Sequence, residues 1–154
     1  MPTPRTAFSA KYPVAAFMDT AMEAKIEINR LRRKAERISA RAAQFPLHTG
    51  DEIFQEMRDI LCQELSWVLA DIQRCEERIN EVSELIDLLP YEDERAMMRV
   101  YYLDGLRGSQ MALKVHEDYG AYFAESYLEK KFSRALEVIQ SIYEMEVLYG
   151  HLNF

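Results

Sequence analysis

Three histidines, two cysteines and 26 carboxylates are the groups in this 154-residue chain to weigh first for acid–base chemistry or metal binding. Catalysis requires such groups in partnered sets, with a base in reach of a nucleophile or two ligands on one helical face. His48, His116 and His151 fall in three separate segments with no partner at metal spacing. His116-Glu117 lacks the second histidine that a zinc-protease helix needs. Neither a phosphate-binding glycine loop nor a nucleophile elbow occurs. Asp87, Glu92, Asp93 and Glu94 read as solvated carboxylates of acidic helices. These patterns point away from an enzyme and imply no cofactor and no metal. What remains is contact chemistry, in which hydroxyls and cations on helix faces meet phosphate oxygens and base edges.

The elements that must position such contacts follow from composition and periodicity. Hydrophobic residues make up 49% of the chain and charged residues 29%, which excludes a disordered acidic chain. Five glycines and five prolines, placed mostly near the ends or at breaks, favour long helices over many short strands. The apolar run Val14 to Met18 is too short for a membrane span or a signal peptide, so the expectation is a cytoplasmic protein with no membrane partner. Cys62 and Cys75 lie in one predicted helix, separated by roughly 20 Å, and are expected to be reduced and mostly buried. The net charge is −7, but residues 1–50 carry an excess of five positive charges and residues 51–90 an excess of eight negative ones. A basic helix followed by an acidic one predicts that the two lie together.

Residues 1–16, with Pro2, Pro4 and Pro13, show no periodicity and read as a mobile arm. From Phe17 a heptad seam runs through Ala21, Ala24, Ile28, Leu31, Ala35, Ile38, Ala42 and Phe45. A second becomes regular at Leu61 and continues through Leu65, Val68, Ile72, Cys75, Ile79, Val82, Ile86 and Leu89. Alternating steps of four and three residues are the period of a coiled coil. The short break at residues 46–50 favours an antiparallel hairpin over residues 17–89, with Asp51 and Glu52 suited to the second helix's N-terminus. Such a hairpin closes within the monomer or forms a homodimer with a second copy, and the seams do not choose between them.

Residues 90–154 have a different layout. Pro90 is followed by three carboxylates, Glu92, Asp93 and Glu94, in a predicted first turn, and then by Met97, Val100, Tyr101 and Leu103 as an apolar face. Gly105 stands where a helix needs a left-handed residue to stop. A short helix from Ser109, its plausible cap, to about His116 has Met111, Leu113 and Val115 as inward residues. Asp118-Tyr119-Gly120 is turn chemistry. The last helix, from about Tyr122 to Tyr149, carries Leu128, Phe132, Ala135 or Leu136, Ile139 and Ile142 at helical spacing. The fold class expected is therefore all-α, with a long N-terminal helical hairpin followed by a three-helix helix-turn-helix module.

Two heptad helices followed by Leu89-Pro90, Arg95, Arg99, Tyr102-Leu103-Asp104-Gly105-Leu106 and Arg134-Ala135-Leu136 resemble phage-encoded transcriptional regulators of the RinA/ArpU type. Their C-terminal part is similar to region 4 of sigma-70 factors. The resemblance spans about Phe17 to Ile142, although only the C-terminal motif is specific. The family's Ser-Trp-x-x-Ile-Ala segment reads here Arg107-Gly108-Ser109-Gln110-Met111-Ala112, without the tryptophan, and the stretch from Ala112 to Arg134 is longer. The resemblance implies sequence-specific binding of double-stranded DNA, control of phage late or packaging genes in a bacterial host, and host RNA polymerase as a further partner.

On that pattern the solvent face of the third helix supplies the contacts. Ser126, Tyr127 and Lys130, near its N-terminal end, are assigned to base edges. Lys131 and Arg134, with Arg107 and Lys114 near the second helix, are assigned to phosphates. Glu125, Glu129 and Glu137 offset the positive charges of the same helix. Two other readings stand beside this one. The chain could be a small terminase-like DNA-binding subunit, or a coiled-coil interaction module that binds RNA polymerase without touching DNA.

Overall fold

A computed structural model describes residues 12–45, 52–120 and 123–150. The described residues are all-α, with five helices and no strand: α1 (Pro13–Ala43), α2 (Glu52–Asp87), α3 (Glu92–Tyr102), α4 (Gly108–Tyr119) and α5 (Glu125–Leu148). Among them no helix is long and apolar enough to cross a membrane. The predicted break at 46–50, the Asp51 cap and the arm up to residue 11 lie outside the described residues. The end of that arm does not: Pro13 opens α1, and Val14 and Ala15 are fully buried. Proline is at home in a first helical turn, where its missing N–H would have had no partner.

The chain divides into two compact units, one of Ala24–Glu77 and the other of Met1–Glu23 with Arg78–Phe154. This is not the division at residue 89 expected from the seams, because both long helices contribute to both units.

In the Ala24–Glu77 unit the predicted seam is the buried face. Ala24, Ile28, Leu31 and Ile38 of α1 and Val68 and Ile72 of α2 are buried. Phe45 meets Phe54, with ring centroids 5.8 Å apart, and the Arg32 guanidinium lies 3.6 Å from Glu76. Those two contacts fix opposite directions for the paired stretches. Seven cations against two carboxylates in residues 24–43 face seven carboxylates against two cations in residues 52–77. Both cysteines are free thiols, but Cys62 is exposed rather than buried, because it lies outside the four-three seam that contains Cys75. Burial pushes the Cys75 thiol up in pKa, and the Glu27 carboxylate adds to that.

The other unit holds the larger core. Val14, Met18 and Ala21 of α1, Val82, Leu85 and Ile86 of α2, and the apolar faces of α3, α4 and α5 form one cluster. The start of α1 is fastened by distant side chains. Its Val14 N–H, an orphan donor of the first turn, donates to Gln140 Oε1 at 2.8 Å, and Tyr12 donates to Glu137 at 3.3 Å. Phe17 lies against Tyr143 at 5.3 Å, with the Arg78 guanidinium over its ring at 5.0 Å.

In α3 the predicted Met97, Val100 and Tyr101 are buried, and Met98, Tyr102 and Glu94 join them. Arg95 and Arg99, one turn apart, tie α3 to the end of α2. Arg95 donates to the Leu89 carbonyl at 2.6 Å, while Arg99 pairs with Asp87 and donates to Ser83. In α4 the buried residues are Met111, Ala112 and Val115, whereas Leu113 is exposed. A step of two residues turns a helix by about 200°, so Met111 and Leu113 cannot share a face. The N-cap of α4 is Arg107, not Ser109, and it makes no side-chain cap bond. Gly120 ends α4 in the left-handed conformation, its N–H closing on the His116 carbonyl.

Gly105 adopts φ +73° after α3, and a Cβ there would stand 2.8 Å from Met22 Cε. The turn thus requires both the backbone freedom and the missing side chain of glycine. Gly105→Ala is expected to lower stability by about 1–2 kcal/mol from the left-handed backbone alone. Urea unfolding of the variant beside the parent measures it.

Candidate nucleic-acid interface

The seven side chains assigned to DNA all belong to α4, α5 or the residue preceding α4, and α3, α4 and α5 pack pairwise. Leu128, Phe132, Ala135, Leu136 and Ile139 of α5 are buried, which turns the intervening positions outward. The polar positions have two kinds of surroundings, with Arg134 on the border between them.

Tyr127, Lys131 and Arg134 face the start of α3. The Tyr127 hydroxyl donates to Asp93 Oδ2 at 3.4 Å, and the Lys131 ammonium lies 3.9 Å from the same oxygen. Lys131 also sits over the Tyr91 and Tyr127 rings, at 5.4 and 5.7 Å, and Arg134 over Tyr91 at 5.9 Å. Beneath them Glu94 is 1% exposed, with neither carboxylate oxygen hydrogen-bonded. Burial pushes its pKa up; Lys131 and Arg134 pull it back and Asp93 adds to the rise. Lys131 is therefore largely an internal counter-ion, its side chain only 23% exposed. Lys114 likewise pairs with Asp118 at 3.2 Å, a hydrogen bond that raises its pKa.

Ser126 and Lys130 are exposed and, with Arg134, recur every four residues, forming one stripe from the first turn of α5. Next to that stripe lies a cavity of about 310 Å³ lined by Tyr101, Arg107, Met111, Glu125, Glu129 and Phe132. The Arg107 guanidinium lies over the Tyr101 ring at 5.8 Å. Ser126, Tyr127, Lys130, Arg134 and Arg107 are thus the predicted contact residues that are exposed, and of these Tyr127 is tied to Asp93. Their neighbours Glu125 and Glu129 are also exposed.

The partners that sequence reasoning missed are Asp93 and Glu94. Placing carboxylates in the first turn of α3 explains them locally, through the helix dipole. Their pairing with Tyr127 and Lys131, more than thirty residues later, leaves no mark in spacing. Among the described residues no three His, Cys, Asp or Glu side chains are grouped so as to hold a metal. No protein-family model, curated protein or solved structure matches the chain.

Proposed function

We propose that this protein is a sequence-specific DNA-binding regulator of phage genes, acting in the cytoplasm of a bacterial host. In this reading α3, α4 and α5 form a helix-turn-helix module similar to sigma region 4, and the paired long helices are a hairpin that carries it. The supporting observation is the exposed stripe Ser126, Lys130 and Arg134, which begins in the first turn of α5. A recognition helix enters the major groove by its N-terminal residues, with cations further along meeting phosphate. Ser126 and Lys130 then read bases, and Arg134 and Arg107 hold the backbone. Lys131 and Lys114 contribute less than their charge suggests, since each already has a carboxylate.

The test is selection of duplexes from a random pool at low salt, followed by binding measurements over a salt series. Lys130→Ala is expected to change which sequence is preferred. Arg134→Ala is expected to weaken binding to all sequences and to reduce the salt slope by about one. Absence of enrichment would sink the DNA reading. A second reading, a module that binds RNA polymerase or another protein without DNA, is favoured by Glu125 and Glu129 flanking the stripe. Direct binding to polymerase without duplex enrichment would establish it.

A further inference from the structure

The Ala24–Glu77 unit leaves an apolar stripe uncovered. Met57, Ile60 and Trp67 of α2 are 45%, 59% and 62% exposed, at spacings of three and seven residues that place them on one helical face. They stand beside, not within, the buried seam of Val68 and Ile72. Between the Met57 and Ile60 end of this stripe and α1 runs an open groove, with Trp67 on the same helical face beyond it. One stretch of it, about 420 Å³, is lined by Arg41, Gln44, Phe45, Met57, Ile60 and Leu61. The next, about 400 Å³, lies among Lys34, Arg37, Ile38, Arg41 and Glu64. One wall is basic and the other is apolar and acidic.

We propose that a second copy of this chain occupies the groove, so that two Ala24–Glu77 units form a four-helix dimer. The charge pattern selects that occupant. Residues 24–43 have an excess of five positive charges and residues 52–77 an excess of five negative ones. With Asp51 the unit carries a net charge of only −1, so each basic stretch can meet an acidic one of the other copy with little net repulsion between the units. A two-fold axis makes the same patch face itself. It sets each basic α1 between its own acidic α2 and that of the partner, while the two α2 stripes close over the groove. Lysine and arginine stems on the basic wall then cover Trp67, a favourable partner for cations. The assembly does not depend on DNA contact, and it stands or falls separately from the function proposed above.

Trp67 is the sole tryptophan of the chain, which makes it a direct reporter. The experiment measures the mass of the full chain by sedimentation equilibrium over a wide dilution series, with tryptophan emission recorded on the same samples. The expected result is a dimer whose emission is blue-shifted when concentrated and moves to the red as it dissociates. Ile60→Glu is expected to raise the dissociation constant at least about thirtyfold, as loss of an interface anchor does, with helix content by circular dichroism unchanged. A monomer with solvent-like emission at every concentration would overturn the proposal, whether the groove takes another protein or a segment of the same chain. So would a ring larger than a dimer, or a dimer that a folded Ile60→Glu variant leaves intact. The parent's mass and emission decide the question even if that variant does not fold.

Discussion

Phe132→Ala is expected to cost about 3–5 kcal/mol, the range for deleting a buried aromatic ring. Phe132 is 4% exposed at the centre of the larger core. Its ring centroid lies 4.7 Å from that of Tyr101 and 6.0 Å from that of Tyr102, the latter stacked. Two tyrosines from α3 therefore rest on one ring from α5, and truncation removes both contacts and leaves a cavity. With a typical domain stable by only about 5–15 kcal/mol, the loss takes a large share of the whole. Urea unfolding followed by circular dichroism should show a large drop in midpoint, and Phe132→Leu a smaller one. Any ligand of the α5 stripe should be lost in proportion to the unfolded fraction, since Phe132 itself faces inward. A fall in affinity with the midpoint unchanged would contradict this placement.

The same ring marks how far the sequence could be read. Phe132, Leu128 and Ile139 were legible because their partners in the pattern lie on the same helix, and periodicity is a local signal. The heptad seams were legible for that reason too, from Ile28 and Leu31 to Val68 and Ile72. Gly105 was legible because a left-handed turn demands it. The misreadings have two physical sources. Leu113 was expected inward with Met111 and Val115, although its angular position opposes both, and the smaller Ala112 is buried instead. The start of α1 read as an arm because Pro13 hid its first turn. What holds it, the carboxamide of Gln140 and the carboxylate of Glu137, lies some 125 residues away.

The candidate site had the same limit. Solvent-facing positions of α5 followed from its apolar period. Which of them stay open did not, because Asp93 and Glu94 reach Tyr127 and Lys131 only through the packing of α3 on α5. That packing ties Tyr127 and Lys131 to Asp93, with Lys131 half-buried and Tyr127 still exposed. Ser126, Lys130, Arg134 and Arg107 are exposed without a pairing to α3 carboxylates, and the functional reading depends on them most.

Glu94→Met is expected to stabilise the protein at neutral pH by about 1–3 kcal/mol, the usual cost of a buried polar group left without a partner. Both Glu94 oxygens are buried and lack hydrogen bonds, and the nearby charges are Lys131, Arg134 and the like-charged Asp93. Burial raises the folded pKa above its unfolded value, so the folded chain holds this proton more tightly. The stabilisation linked to that proton is complete below the ordinary glutamate range. It is lost as pH rises through the raised folded value. Unfolding free energy measured across that window should therefore fall with pH in the parent, relative to Glu94→Met, in which the component is absent. Glu94→Gln should also remove it, with a smaller gain because an unpaired amide stays buried. Lys131 sharpens the test, as it offsets the Glu94 charge. Lys131→Met should destabilise the parent more at neutral than at acid pH, and cost less in the Glu94→Met background. Equal cost in both backgrounds would mean that Lys131 serves Asp93 alone.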